Sequence, residues 1–233
     1  MHNSQISEGD IGFTQLSDKK YYPFKILKIE TWPDNSIVWH VLNYEAVDSE
    51  PTEADIKNFK IIAWHAPIDS FEKDAKFITN IPVINEELKG YFEYLKQTNF
   101  RRYIQESGEN LDTIIKEAQL YYKKAIELDK NSNQQEAIKA YTRAVEIFPL
   151  FYEAIDNRAI CYLDLRSYKE AINDFQNSLK LNPNNFTAQF GLGYSYYQIK
   201  EYALAKKETE KSLNIKDDSK ASGLLRKIEE KLI

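Results

Sequence analysis

Two dipeptides in the first third of the chain hold residue types that can do chemistry: Trp39-His40 and Trp64-His65. Each lies in a run of aromatic and β-branched residues, which places each histidine on a strand. If those strands pair, the imidazoles approach each other and any carboxylate nearby, the start of a metal site or a proton-transfer pair. The rest of such a site is missing from the sequence. His2 stands in the N-terminal tail, no cysteine is close, and neither HExxH nor CxxC spacing occurs. The preferred reading is two half-buried, hydrogen-bonded strand histidines.

The other chemistry-bearing residues lead the same way. Gly191-Leu192-Gly193 falls inside a helical stretch and is no phosphate loop. Cys161, beside Tyr162 in mid-helix, reads as a small buried hydrophobe. Glu86-Glu87 and Glu229-Glu230 belong on solvated helix faces. No nucleophile, base and oxyanion donor converge. The sequence therefore predicts a protein without catalytic residues, cofactor or metal.

Charge narrows the partners. Residues 1–110 carry 12 Lys and Arg against 18 Asp and Glu, and residues 111–233 carry 19 against 18. Neither half has the basic excess that phosphate backbones demand, so no nucleic-acid partner is expected. No run approaches the ~20 apolar residues of a membrane span, so no membrane is expected either. MHNSQISEGDIG lacks the marks of a secretory signal, and a lone cysteine suits a reducing compartment. Those two features predict a cytoplasmic location.

The elements that would position any site divide at about residue 110. EAIKAYTRAVEIFP, residues 136–149, is echoed 34 residues later by EAINDFQNSLKLNP, residues 170–183. In one frame, small residues recur at Ala125, Ala159 and Gly193, and again at Ala137, Ala171 and Ala205. Tyr141, Phe175 and Thr209 follow, then Ala144, Ser178 and Ser212, and the frame closes on Pro149, Pro183 and Asp217. Helices cross closely only where side chains are small, aromatics fill the space between units, and proline stops the second helix. Residues 118–217 thus resemble the tetratricopeptide repeat family, whose 34-residue unit is an antiparallel helix pair. Three pairs are expected over 110–217. The third departs at Thr209 and Asp217, as a last repeat beside a cap does. Residues 218–233 read as that cap helix, with Ala221, Leu224, Leu225, Ile228 and Leu232 on one stripe and charges opposite.

One period upstream, Tyr91, Tyr103 and Ser107 do not fit the frame, so there is no fourth repeat. Residues 85–106 read instead as one separate helix within a connecting segment, 81–109. Ser107-Gly108 breaks the chain and Asn110 caps the next helix.

Residues 1–80 read as a small β-rich domain. DIGFTQL, KYYPFKILKIE, NSIVWHVLNYEA and NFKIIAWHA are strand-like, with a turn at Trp32-Pro33-Asp34-Asn35. The Gly-Asp start followed by YYPFKIL resembles SH3-like barrels of the Tudor/PWWP kind. Four or five short antiparallel strands in about 60 residues predict a small barrel. Tyr21, Tyr22, Phe24, Trp32, Trp39 and Trp64 are the candidates for an aromatic cage around a cation, with an ordinary core preferred. The fold class expected is α+β and multidomain: a β-barrel, then an α-solenoid of three helix pairs with a C-terminal cap.

The repeat resemblance implies an interaction module gripping a protein or peptide on a concave face lined by the first helix of each pair. By position the lining is Gln119, Tyr122, Lys123 and Ile126 in the first unit. Glu153, Asn157, Ile160 and Asp164 follow in the second, and Thr187, Phe190, Tyr194 and Gln198 in the third. Chaperone-binding members of the family use a clamp of Lys and Asn, then Asn, then Lys and Arg. Only Asn157 matches; Gln119, Lys123, Thr187 and Gly191 hold the other positions. The alternative is that the barrel carries a ligand or enzymatic site and the repeats serve oligomerisation. A blander version has the groove residues packing against the N-terminal domain.

Overall fold

The computed structural model describes residues 6–70 and 75–232, so His2 lies outside it. Contacts divide the chain into two compact units, Met1–Ser107 and Gly108–Ile233.

The first unit is built on a five-stranded antiparallel sheet in the order β4-β3-β2-β1-β5. The strands are β1 (Asp10–Gln15), β2 (Tyr21–Thr31), β3 (Ile37–Tyr44), β4 (Ile61–Ile68) and β5 (Lys76–Asn80). The expected turn joins β2 to β3. Asn35 adopts φ 64°, Trp32 and Ser36 bond through their backbones, and Asp34 accepts from Ser36 N at 2.9 Å. The PTEADIKN segment forms a 3-10 turn, Glu53–Asn58.

The expected barrel does not close: among the described residues no ladder joins β4 to β5. β4 carries Pro67, which cannot donate to a partner strand, and β5 is only 5 residues long. The sheet fills its faces with two clusters. Phe24, Ile26 and Val41 form one, and Leu27, Leu42 and Tyr44 the other. A register shift between Ile26 and Lys28 frees Leu27 from pairing and bends β2.

The single helix expected over 85–106 is two: α1 (Lys89–Thr98) and α2 (Phe100–Ser107). Asn99 breaks the run, with φ −148° and ψ 73°, and its side chain accepts from Arg102 N at 3.2 Å. An asparagine that bonds to the backbone ahead of it starts a helix more readily than it continues one.

The second unit is a helical solenoid. Its pairs are α3 (Leu111–Lys130) with α4 (Gln134–Ile147), α5 (Tyr152–Asp164) with α6 (Tyr168–Leu181), and α7 (Phe186–Gln198) with α8 (Tyr202–Ile215). The cap helix is α9 (Ser219–Leu232). Ala125, Ala137, Ala159, Ala171 and Ala205 are all fully buried, as close crossings require. The second helices end at equivalent places, where Phe148, Asn182 and Lys216 bond back to Ala144, Ser178 and Ser212. The third therefore stops without a proline. Asn110 caps α3 as expected, accepting from Thr113 N at 3.1 Å. On α9, Ala221, Leu224 and Ile228 are buried, whereas Leu232 is exposed and leaves the expected stripe.

The turn inside each pair was not visible in the sequence. Ser132, Arg166 and Lys200 adopt φ of 58°, 56° and 65°. Beyond them the amides of Asn133, Ser167 and Glu201 bond to the carbonyls of Leu128, Tyr162 and Tyr196. Each first helix thus ends in the same left-handed cap, made without the glycine that usually marks it.

Candidate functional site

The first helices of successive pairs carry the predicted groove residues. The structure draws five of them into one cavity. Ile160 and Asp164 of α5 meet Phe190, Tyr194 and Gln198 of α7 around a space of about 810 Å³. Leu163 and Tyr197 add to these walls, and α9 closes the far side with Lys220, Gly223, Leu224 and Lys227. Sequence reasoning assigned the charges of α9 to its solvated back. Spacing held the missed signal, because residues 220, 223, 224 and 227 share a helical face.

The cavity stays open because its rings are held by their own packing. Phe190, Tyr194, Tyr196, Tyr197 and Tyr202 pack against Ala205, Leu224 and Ile228. Phe190 stacks on Phe186 at 6.0 Å. The result is an aromatic and apolar basin with cations on one rim and a carboxylate on the other. Burial, with Asp129 nearby, raises the pKa of Asp164 above the usual carboxylate value. The same two causes push Cys161 up to about 12, so its thiol stays protonated and unreactive.

The remaining groove residues are placed otherwise. Gln119, Lys123, Glu153 and Thr187 are exposed along the first helices, and Ile126 packs into the first-repeat core. Asn157 Nδ2 donates to Tyr122 Oη at 3.0 Å, tying the second repeat to the first. Tyr122 in turn packs on Tyr141 and Phe151, with ring centroids 5.8 and 4.8 Å away. Asn157 is thus engaged within the fold. Where the chaperone clamp of the family places arginine, Gly191 lies under the ring of Phe175. Deeper in the array, Arg158 grips Asp174 with two bonds of 2.7 and 2.8 Å and reaches Thr142 at 3.0 Å.

In the first unit β3 and β4 do pair, and the two strand histidines meet. His40 Nδ1 stands 2.7 Å from His65 Nε2, and His40 Nε2 stands 3.0 Å from Glu30 Oε1, out of line for a hydrogen bond. Arg102 pairs with Glu30, and Tyr91 Oη donates to Glu106 at 3.0 Å. The carboxylate favours a proton on Nε2, so Nδ1 accepts from the Nε2–H of His65. Burial lowers the pKa of His40, and it lowers His65 to about 4 with help from the neighbouring ring. Among the described residues, no three His, Cys, Asp or Glu side chains are grouped to hold a metal.

The candidate cage aromatics are dispersed. Phe24 and Trp39 join the sheet core, Tyr22 bonds to Asp18 at 2.6 Å, and Trp64 lies on the edge strand with Lys89 over its ring. Trp32 stands exposed at the hairpin.

Stacked antiparallel helix pairs with an aromatic basin on one face define a helical-repeat protein. Residues 122–178 and 161–200 match tetratricopeptide repeat models, so the helical half of the chain carries tetratricopeptide repeats. The chain is 37% identical over 75 residues to the human Protein SGT1 homolog, a match covering 32% of this chain and 20% of that protein. It is 33% identical over 79 residues to the Hsp70-Hsp90 organizing protein 1 of Glycine max, covering 34% and 14%. The chain therefore spans about a fifth or less of the length of these relatives. Among solved structures, the first TPR domain of the human RPAP3 protein aligns with TM-score 0.48 at 27% identity, covering 49% of this chain and 91% of that one. No helix among the described residues is long and apolar enough to cross a membrane.

Proposed function

We propose that the helical array is a non-catalytic interaction module that holds a segment of a partner protein along the face formed by α3, α5 and α7. The observation that carries this reading is the basin of about 810 Å³ between α5, α7 and α9, lined by Phe190, Tyr194 and Tyr197. Rigid aromatic rings in a desolvated pocket supply most of the binding energy at protein interfaces. The relatives' names support a partner that is a protein: one is an Hsp70-Hsp90 organizing protein. A clamp for a chain-terminal carboxylate is disfavoured in this groove, because Thr187 and Gly191 supply no cation on α7. The near-balanced charge of the array fits a protein or peptide rather than nucleic acid, and the single cysteine fits a cytoplasmic site.

The test is affinity capture from the native cell by three forms of the full chain, read by quantitative mass spectrometry. The pair Phe190→Ala, Tyr194→Ala should lose the captured partner. The pair Lys139→Ala, Arg143→Ala on α4, whose side chains pair with Glu136 and Glu146, should keep it. The opposite pattern would remove the groove as the binding face.

A further inference from the structure

One wall of the basin is not explained by the packing of the fold. Three glycines stand in the helices of the array. A Cβ on Gly191 would meet the Phe175 ring, and one on Gly193 would stand 2.6 Å from Thr209 Oγ1. Close helix crossings account for both. Gly223 differs, because nothing lies within 4 Å of where its Cβ would be. Glycine in a helix interior weakens the helix relative to alanine, and here no internal contact repays the loss.

Gly223 faces the basin, and so do Lys220 and Lys227, one turn to either side of it. Neither lysine ammonium joins an ion pair among the described residues. Elsewhere in the array Lys206 pairs with Glu229 at 3.0 Å and Lys211 with Glu208 at 2.8 Å. Across the basin the wall is apolar, with Ile160, Leu163 and Phe190, and it ends on Asp164.

We infer that this basin is the specificity pocket of the groove. It takes one large apolar side chain from an internal segment of the partner, whose backbone lies over Gly223 and whose flanking carboxylates meet Lys220 and Lys227. The inference rests on the peptide-binding reading above and deepens it. At about 810 Å³ the space exceeds a single side chain, so the apolar residue enters together with the backbone and neighbours of its segment. The volume lies within the range of about 300–1,000 Å³ usual for ligand pockets. Lys220 and Lys227 are two turns apart, about 10 Å along the axis, so each meets its own side chain instead of converging on one chain-end carboxylate. An extended segment advances about 3.3 Å per residue, which sets the two acidic residues about two to four positions apart with the apolar one between. Asp164 repels a carboxylate on the α5 side and so turns the acidic residues toward α9.

Phage-displayed random dodecapeptides selected on the full chain test this. The enriched sequences should carry Phe, Trp or Leu flanked by Asp or Glu. Synthetic versions should bind Lys220→Glu, Lys227→Glu about tenfold more weakly, a loss typical of interface anchors. Exchanging the peptide's acids for lysine should restore binding to that variant, which mere damage to the fold would not allow. Gly223→Ala should melt higher than the wild type yet bind more weakly. Enriched peptides without acidic residues, or affinities indifferent to both α9 variants, would overturn the inference. If indifferent peptides are lost on Lys123→Ala, Glu153→Ala at the other end of the groove, the peptide-binding reading survives alone. If nothing is enriched over an unrelated helical protein, both fall.

Discussion

The ring of Phe175 occupies the space that any side chain on Gly191 would need: a Cβ there would stand 2.3 Å from Cζ. One repeat earlier, Tyr141 and Asn157 hold the equivalent positions. The aromatic that seals each repeat to the next thus sets what its neighbour's first helix can display. Gly191→Ala should destabilise the array by about 1–3 kcal/mol through overpacking. Gly223→Ala, with open space at its Cβ, should stabilise it by about 0.5–1 kcal/mol. Urea unfolding of the two variants checks the contrast; equal effects would place Phe175 wrongly.

The bond from Asn157 to Tyr122 joins two repeats across half-buried surface. Asn157→Ala and Tyr122→Phe should each cost about 1 kcal/mol, the usual net worth of such a bond. The double variant should cost little more than either alone, because each change removes the same interaction. Additive losses in a double-mutant cycle would show that the bond does not form in solution.

Arg166 and Lys200 hold left-handed backbone that disfavours any side chain. Arg166→Gly and Lys200→Gly should each raise stability by about 0.5–1 kcal/mol. Thermal melting decides it, and a loss at both positions would mean the caps are not left-handed.

These caps show where the sequence falls silent. The 34-residue frame was legible because helix crossings exclude large side chains, which leaves alanine or glycine at fixed intervals. Ser132, Arg166 and Lys200 carry no such mark, since the turn is imposed by packing on both sides and not by a residue that prefers it. The antiparallel strands and the Trp32–Asn35 turn were legible from alternation and Pro33-Asp34. Closure into a barrel was not, because it depends on edges that never pair. In the groove, Phe190 and Tyr194 could be placed by position alone. Lys220 and Gly223 could not, because the amphipathic pattern of α9 shows which face is buried but not what borders it.

His40 and His65 should make the first unit sensitive to acid. Both folded-state pKa values lie below the ordinary histidine value of 6.5, and that of His65 falls to about 4. The folded form therefore binds fewer protons than the unfolded chain between about pH 6.5 and 4. Stability present above pH 6.5 should be lost as pH falls through that window, by about 1–2 kcal/mol after discounting for the half-exposed His65 ring. Unfolding followed through the tryptophans of this unit should show the slope, and His40→Gln with His65→Gln should flatten it. An unchanged slope in the double variant would assign it to other groups.

Binding along the first helices is tested most directly by where a partner touches the chain. Amide hydrogen exchange of the full protein, with and without a captured partner or selected peptide, reads this along the backbone. Slowed exchange should concentrate in α5, α7 and the first two turns of α9, around Ile160, Tyr194 and Lys220. Protection confined to α4, α6 and α8, or to the strands of the first unit, would contradict binding in the groove.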